Sequence, residues 1–210
     1  MSADSAPVGA ASPPPAIAGL ILAAGESSRM GRDKALLNYR GRTFLENILN
    51  TLHEAGIERV VVVLGHHAEA IRQSSDLRTA QVVVNHDYRL GQTSSLQAGL
   101  RALEENEPDG MILCLVDHPA ITANTVQQLI QNFKSTGKPV IIPEIHGKHG
   151  HPILVRRELF NELRALGPDE GANTVIRKYR DRTKFVAVAD SGILLDVDDP
   201  EAYRQLTTLS

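Results

Sequence analysis

The sequence predicts a doubly wound α/β fold, a mostly parallel sheet flanked by helices. Two observations carry this expectation. Short β-branched runs alternate along the chain with longer stretches of helical period, and four consecutive runs are apolar throughout instead of alternating with polar residues. A strand without a polar face is buried on both sides, as strands are in a parallel sheet covered by helices.

In order, the runs are GLILAA (19–24), RVVVVLG (59–65), AQVVVN (80–85), GMILCLVD (110–117) and KPVIIP (138–143). Helices are expected between them over residues 43–55, 68–74, 94–105 and 122–133. Leu96, Leu100 and Leu103 recur at the spacing of one buried helix face, and Thr122 is placed to cap the helix that follows Pro119. The last third is less regular. It predicts a strand at HPILV (151–155), a helix over 157–165 ended by Gly-Pro, a helix around 174–180, and strands at KFVAVA (184–189) and GILLDVDD (192–199) before a final helix.

Residues 17–210 read as one domain, without repeat or interdomain linker, after a tail over residues 1–16. That tail is rich in Pro, Ala and Ser, and has neither the basic start of a signal peptide nor a long apolar stretch, so it is expected to be disordered. No run approaches the roughly 20 residues needed to span a bilayer. With 22 Lys plus Arg against 25 Asp plus Glu there is no basic field for nucleic acid, which leaves a small-molecule partner. One cysteine, Cys114, allows no internal disulfide, and its apolar setting predicts a buried, unreactive thiol in a reducing cytoplasm.

The stretch GLILAAGESSRMGRDKALL (19–37) places glycines, serines, two arginines and a lysine directly after a buried strand. Glycines let backbone N–H groups approach an anion, and Arg or Lys neutralises it, so this is a phosphate cradle. It is not a P-loop: five residues rather than four separate Gly25 from Gly31, and Lys34 follows three later. Nor is it a dinucleotide fingerprint, since Ser27 stands where the second glycine belongs.

Residues 22–34 instead resemble the L-A-A-G-x-S-x-R-M-G-x-x-K signature of the pyrophosphorylase-type nucleotidyltransferases, within them the molybdopterin-dinucleotide group. The resemblance implies a Rossmann-like nucleotidyltransferase fold, in which Leu22, Ala23, Ala24, Gly25 and Gly31 wrap a nucleoside triphosphate while Arg29 and Lys34 act on its phosphates. Gly91, Ser94 and Ser95 resemble the family's second nucleotide-binding segment, though the serines could equally cap the helix they begin. Asp117 ends an apolar strand, where it either meets a cation or caps the next turn; in the family this aspartate holds magnesium, with manganese an alternative.

LLDVDDPEAY (194–203) resembles the family's D-[IV]-D-T-P-E-D-Y ending, which makes Asp198 the second metal ligand, with Asp196 behind it and Asp199 a candidate cap. The three histidines His146, His149 and His151 lack a cysteine and sit in a glycine-rich loop, so zinc is not expected there. GHP and GPDEGAN resemble the family's acceptor-side segments and imply acceptor contacts for His151 and Asn173, the latter standing where the family has Arg. His66 and His67 are expected to be solvated.

The family's cytidylyl branch reads LAAG and its guanylyl branch LAGG, so Ala24 implies CTP. The implied reaction transfers CMP from CTP to the terminal phosphate of molybdopterin, for delivery to a molybdenum hydroxylase or its chaperone. A guanylyltransferase, a transferase for another phosphorylated metabolite, and a noncatalytic cofactor chaperone remain the alternatives.

Overall fold

A computed structural model describes residues 15–208, so the tail expected over residues 1–16 falls almost wholly outside the described residues. The ten strands are β1 (Ile17–Ala23), β2 (Asn38–Tyr39), β3 (Arg42–Thr43), β4 (Val60–Leu64), β5 (Gln81–Val84), β6 (Gly110–Leu115), β7 (Val140–Ile145), β8 (Lys148–His149), β9 (Ile153–Arg156) and β10 (Thr183–Ala187). Seven α-helices join them: α1 (Phe44–Glu54), α2 (Ala68–Ser74), α3 (Gln92–Leu103), α4 (Ala123–Thr136), α5 (Phe160–Arg164), α6 (Ala172–Lys178) and α7 (Pro200–Thr208).

The main sheet runs β10-β7-β9-β6-β1-β4-β5, with β8 paired to β7. Pairs β1/β4, β4/β5, β1/β6 and β7/β10 are parallel, whereas β9 runs antiparallel to both β6 and β7. The doubly wound expectation therefore holds, with one reversed strand set into it. Strand order turns back at β1: the chain moves outward through β4 and β5, then crosses to β6 on the other side. Such a switch point opens a crevice beyond the carboxyl ends of β1 and β6.

Local sequence explains the elements. Thr43 caps α1 through a reciprocal pair with Glu46, and the Thr122 hydroxyl accepts the Thr125 amide at the start of α4. Successive residues of β1 feed opposite faces: Leu20 and Leu22 join the core under α3, while Ile21 and Ala23 join the core under α1 and α4. Leu96, Leu100 and Leu103 are buried in the first of these, and Cys114 in the second is 1% exposed, its thiol pushed up by burial.

Three expectations need correction. GILLDVDD is no strand: Ser191–Leu194 forms a 3-10 turn because the Asp190 carboxylate accepts the Gly192 amide at 2.9 Å and starts the turn. The helix expected over 157–165 is a 3-10 turn at Arg157–Leu159 followed by α5. The helix expected from residue 94 begins at Gln92, so Ser94 and Ser95 lie inside α3 and are not its cap. The β2–β3 ribbon and β8 carry no clear sequence signal at two residues each.

Candidate active site

At the switch point lies a cavity of about 310 Å³, lined by Leu22, Ala23, Ala24 and Gly25 from the end of β1, by Arg29, Asp33 and Lys34 from the following loop, and by Asp117 and Asp198. Tyr88, Gly91, Gln92 and Ser95 close its other side.

The loop folds on itself. Ser27 accepts the Met30 amide through its carbonyl at 2.9 Å and the Lys34 amide through its hydroxyl at 3.1 Å. Gly31 turns the chain at φ +71°, where a side chain would strain the backbone. Between the two charged residues Arg29 and Lys34, Met30 is 6% exposed and packs with Leu37, Tyr39, Phe44, Val197 and Leu206. The apolar residue of the R-M-G turn thus ties the cradle to Val197, the neighbour of Asp198.

A second tie sets the acids side by side: the Val197 amide donates to the Asp117 carbonyl at 2.9 Å. Lys34 fills the space between their carboxylates, with Nζ 2.6 Å from Asp198 Oδ1 and 3.5 Å from Asp117 Oδ2. Arg29 Nη1 donates to Asp198 Oδ2 at 3.0 Å. The hydrogen bond from Lys34 is the chief reason the Asp198 carboxyl titrates below its ordinary range, with Arg29 adding to it. The two cations differ in setting. The Lys34 side chain is 12% exposed and that of Arg29 75%, so only Lys34 acts in a poorly solvated site.

Asp117 turns its carboxylate to Lys34, and its Oδ1 is buried with no hydrogen-bond partner among the described residues, His118 Nε2 lying 3.9 Å away. Asp199 is a helix cap, accepting the Glu201 and Ala202 amides at 3.0 and 2.9 Å, and Asp196 is exposed.

On the other wall Gly91 adopts φ +97° and leads into α3. Ser94 and Ser95 are both held by a residue the sequence reading passed over. Buried Asn85 donates to their hydroxyls at 2.8 and 3.0 Å and accepts the Asp87 amide at 3.0 Å. The Ser94 hydroxyl also lies 2.8 Å from the Gly91 carbonyl, so Ser94 shapes the loop while Ser95 lines the cavity. A polar residue just past the apolar run Val82, Val83, Val84 of a parallel strand is the signal that marks Asn85.

His151 and Asn173 come together in a separate cavity of about 270 Å³, with His149, Arg177, Arg180 and Phe185. The two arginines were missed, since cations grouped with Lys178 and Arg182 at the end of a short helix read in sequence as a solvated face. His149 stacks on Phe185 with ring centroids 4.2 Å apart. His151 packs at 5.0 Å from His118, whose Nε2 is 3.9 Å from Asp117 Oδ1, so a pair of rings links the two cavities. Burial and then the His118 charge push the His151 imidazole down to about 4, and burial also lowers His118.

Fold and site define the class: a doubly wound α/β protein with a glycine-rich pocket of interleaved opposite charges at its switch point. Comparison with known proteins makes it specific, because the chain belongs to the MobA-like NTP transferase domain family, which it matches over residues 19–183. The nicotine blue oxidoreductase of Paenarthrobacter nicotinovorans is 31% identical, over 91% of this chain and 97% of its own length. A probable molybdenum cofactor guanylyltransferase of Opitutus terrae is 40% identical, over 79% and 73%. Among solved structures, Rv0371c of Mycobacterium tuberculosis H37Rv superposes with a TM-score of 0.83 at 31% identity, covering 92% of this chain and 98% of that one. A manganese complex of the same protein superposes with a TM-score of 0.78.

Proposed function

We propose that this protein transfers CMP from CTP to the terminal phosphate of molybdopterin and releases pyrophosphate. The observation that carries the reading is the ammonium of Lys34 held between Asp117 and Asp198 at the end of a glycine-rich loop. A charge-dense, pre-positioned group of this kind suits a triphosphate.

In the reaction an acceptor phosphate oxygen bonds to the α-phosphorus while the α-phosphorus bond to the bridging oxygen breaks, and pyrophosphate leaves with the electron pair. The attacking phosphate is already ionised, so no general base is required. Backbone N–H groups over residues 25–29 hold phosphate oxygens, Lys34 neutralises charge developing on them, and exposed Arg29 is free to leave Asp198 for the triphosphate. Asp117 and Asp198 form an all-oxygen donor pair, and Asp117 Oδ1, which makes no hydrogen bond among the described residues, suits a hard divalent cation, magnesium or manganese. When bound, such an ion neutralises and orients the triphosphate.

For the acceptor, Arg177 and Arg180 supply positive charge in the second cavity. Arg177 lies one helical turn past Asn173 and supplies the cation that position 173 lacks. For the base, Ala24 and Tyr88 both stand against Gly65, where an added Cβ would meet the Ala24 carbonyl at 2.6 Å and the Tyr88 Cβ at 2.7 Å. These contacts fix the end of β1 and Tyr88, both in the cavity wall, and the choice of a pyrimidine rests on Ala24 standing where the guanylyl branch has glycine. The relative named a guanylyltransferase supports GTP as the second reading.

The test is to incubate the protein with each nucleoside triphosphate, magnesium or manganese, and molybdopterin, and to follow pyrophosphate. Release with CTP is expected. A preference for GTP moves the protein to the guanylyl reading, and no release from any nucleotide overturns the transferase reading.

A further inference from the structure

Among the described residues, one cluster brings three metal-ligating side chains together, and the transfer reaction uses none of them as a ligand. Asp33, His66 and His67 present one ligand atom each, all within 4.8 Å of one another. Asp33 belongs to the glycine-rich loop and directly precedes Lys34, while His66 and His67 form the turn from β4 into α2. The chain brings these distant segments together because the His66 amide donates to the Ala24 carbonyl at 3.1 Å, which holds the β4 turn against the end of β1.

The geometry points to a second metal site here, distinct from the Asp117–Asp198 pair, for a divalent transition ion such as zinc. Asp33 Oδ2 and His67 Nδ1 are 3.0 Å apart. Two ligands bound at about 2.1 Å stand about 3 Å apart at a right angle and slightly further apart in a tetrahedron, so these atoms need little movement to share an ion.

His66 adds an independent observation. Its Nδ1 is buried with no hydrogen-bond partner among the described residues, a costly state that a ligand or a proton acceptor would relieve. His67 holds a left-handed backbone, φ +50° and ψ +29°, which few residues other than glycine and asparagine adopt. The surroundings also admit an ion: the Asp33 side chain is 15% exposed and that of His67 60%, leaving open positions on the solvent side.

Ligand chemistry separates the two sites. Two imidazoles and one carboxylate favour zinc, cobalt or iron over magnesium, whereas two carboxylates favour magnesium or manganese. An ion on Asp33, His66 and His67 would pin the loop that carries Arg29 and Lys34 to the β4–α2 turn, bracing the cradle from outside. The site rests on these three residues alone and stands whichever nucleotide the protein uses.

The test uses the full-length protein, stripped with chelator and titrated with cobalt(II) in excess magnesium, without nucleotide. One equivalent with visible d–d absorption is expected, and zinc should displace it and raise the melting temperature. His66→Ala and His67→Asn should abolish the absorption and the zinc-induced shift. Asp33→Asn should weaken cobalt binding at least tenfold, while Asp198→Asn and His149→Ala should leave it unchanged. His67 is exposed, so His67→Asn keeps the test valid should His66→Ala fail to fold. Wild-type protein that binds no cobalt overturns the site. So does undiminished binding in His67→Asn, or binding that disappears in Asp198→Asn.

Discussion

The two cavities are built in different ways. The cavity around Lys34, proposed for the nucleotide, collects the ends of parallel neighbours, β1 and β6, and its loop is a continuous motif over residues 22–34. The cavity around His151, proposed for the acceptor, sits where the sheet reverses at β9, and draws on β7, β9, β10 and α6 together with His149–His151 at the end of β8. Parallel strands deliver their loops to one edge by topology alone. A reversed strand sends the loop at its own carboxyl end to the opposite edge from its neighbours' loops, and the site must then be completed by packing. The charge pattern differs as well: opposite charges are interleaved in the first cavity, whereas the second carries arginines and two histidines without a lining carboxylate.

If the nucleotide-side cavity works by interleaved charge, removing its central cation should have the largest effect. Lys34→Ala should lower turnover on the order of a hundredfold or more while circular dichroism shows the fold intact. It would also leave the Asp117 and Asp198 carboxylates facing each other, raising the Asp198 carboxyl from its depressed range. An active, well-folded Lys34→Ala protein would remove the cradle assignment.

The next effect falls on the acids. Asp117→Asn and Asp198→Asn should each cut metal-dependent activity by about tenfold to a hundredfold and raise the divalent-ion concentration needed for half-maximal rate. Unchanged ion dependence in either variant would exclude that residue from metal binding.

On the acceptor side the comparison predicts a different kinetic signature. Arg177→Ala should raise the KM for the phosphorylated acceptor by about tenfold and leave the KM for the nucleotide unchanged, because a lost ionic contact in a partly solvated cavity is worth about 1–2 kcal/mol. Equal changes in both KM values would show that the two cavities do not divide the substrates.

The histidines of the acceptor side predict a pH effect with a defined sign. His151 titrates near 4 in the fold against an ordinary value of 6.5, so between these pH values the unfolded chain binds a proton that the folded chain refuses. Stability should therefore fall as pH drops from 6.5 to 4, and His151→Gln should flatten that limb in denaturation measurements. A slope unchanged by the substitution would contradict the neutral, buried assignment.

The smallest expected effect concerns the base. Ala24→Gly should move the ratio of kcat/KM for CTP to that for GTP a few-fold toward GTP, since it removes one methyl group from the cavity wall without adding a polar partner. No change would locate base selection in the wall around Asn85 and Gly91.

The sequence by itself determined the strands β1, β4 and β6, whose unbroken apolar runs admit no exposed face, and it determined the cap Thr122; β5 was legible as a strand, but it lies at the sheet edge with Gln81 exposed. It also marked the cradle, because glycine, arginine and lysine directly after a buried strand have a narrow physical meaning. Asp198 was singled out by motif, but the turn before it was misread as a strand: an apolar run does not show whether a neighbour will pair with it, and here Asp190 bends the chain before any pairing begins. Tertiary structure alone decided that Lys34 sits between Asp117 and Asp198, that Met30 anchors the cradle, and that Asn85 holds both serines. It also joined Asp33 to His66 and His67, residues whose polar, helix-opening context had suggested only solvent. Periodicity reports which face of a segment is buried. Which side chains from distant segments then share one small space depends on how strand ends converge, and no local pattern carries that information.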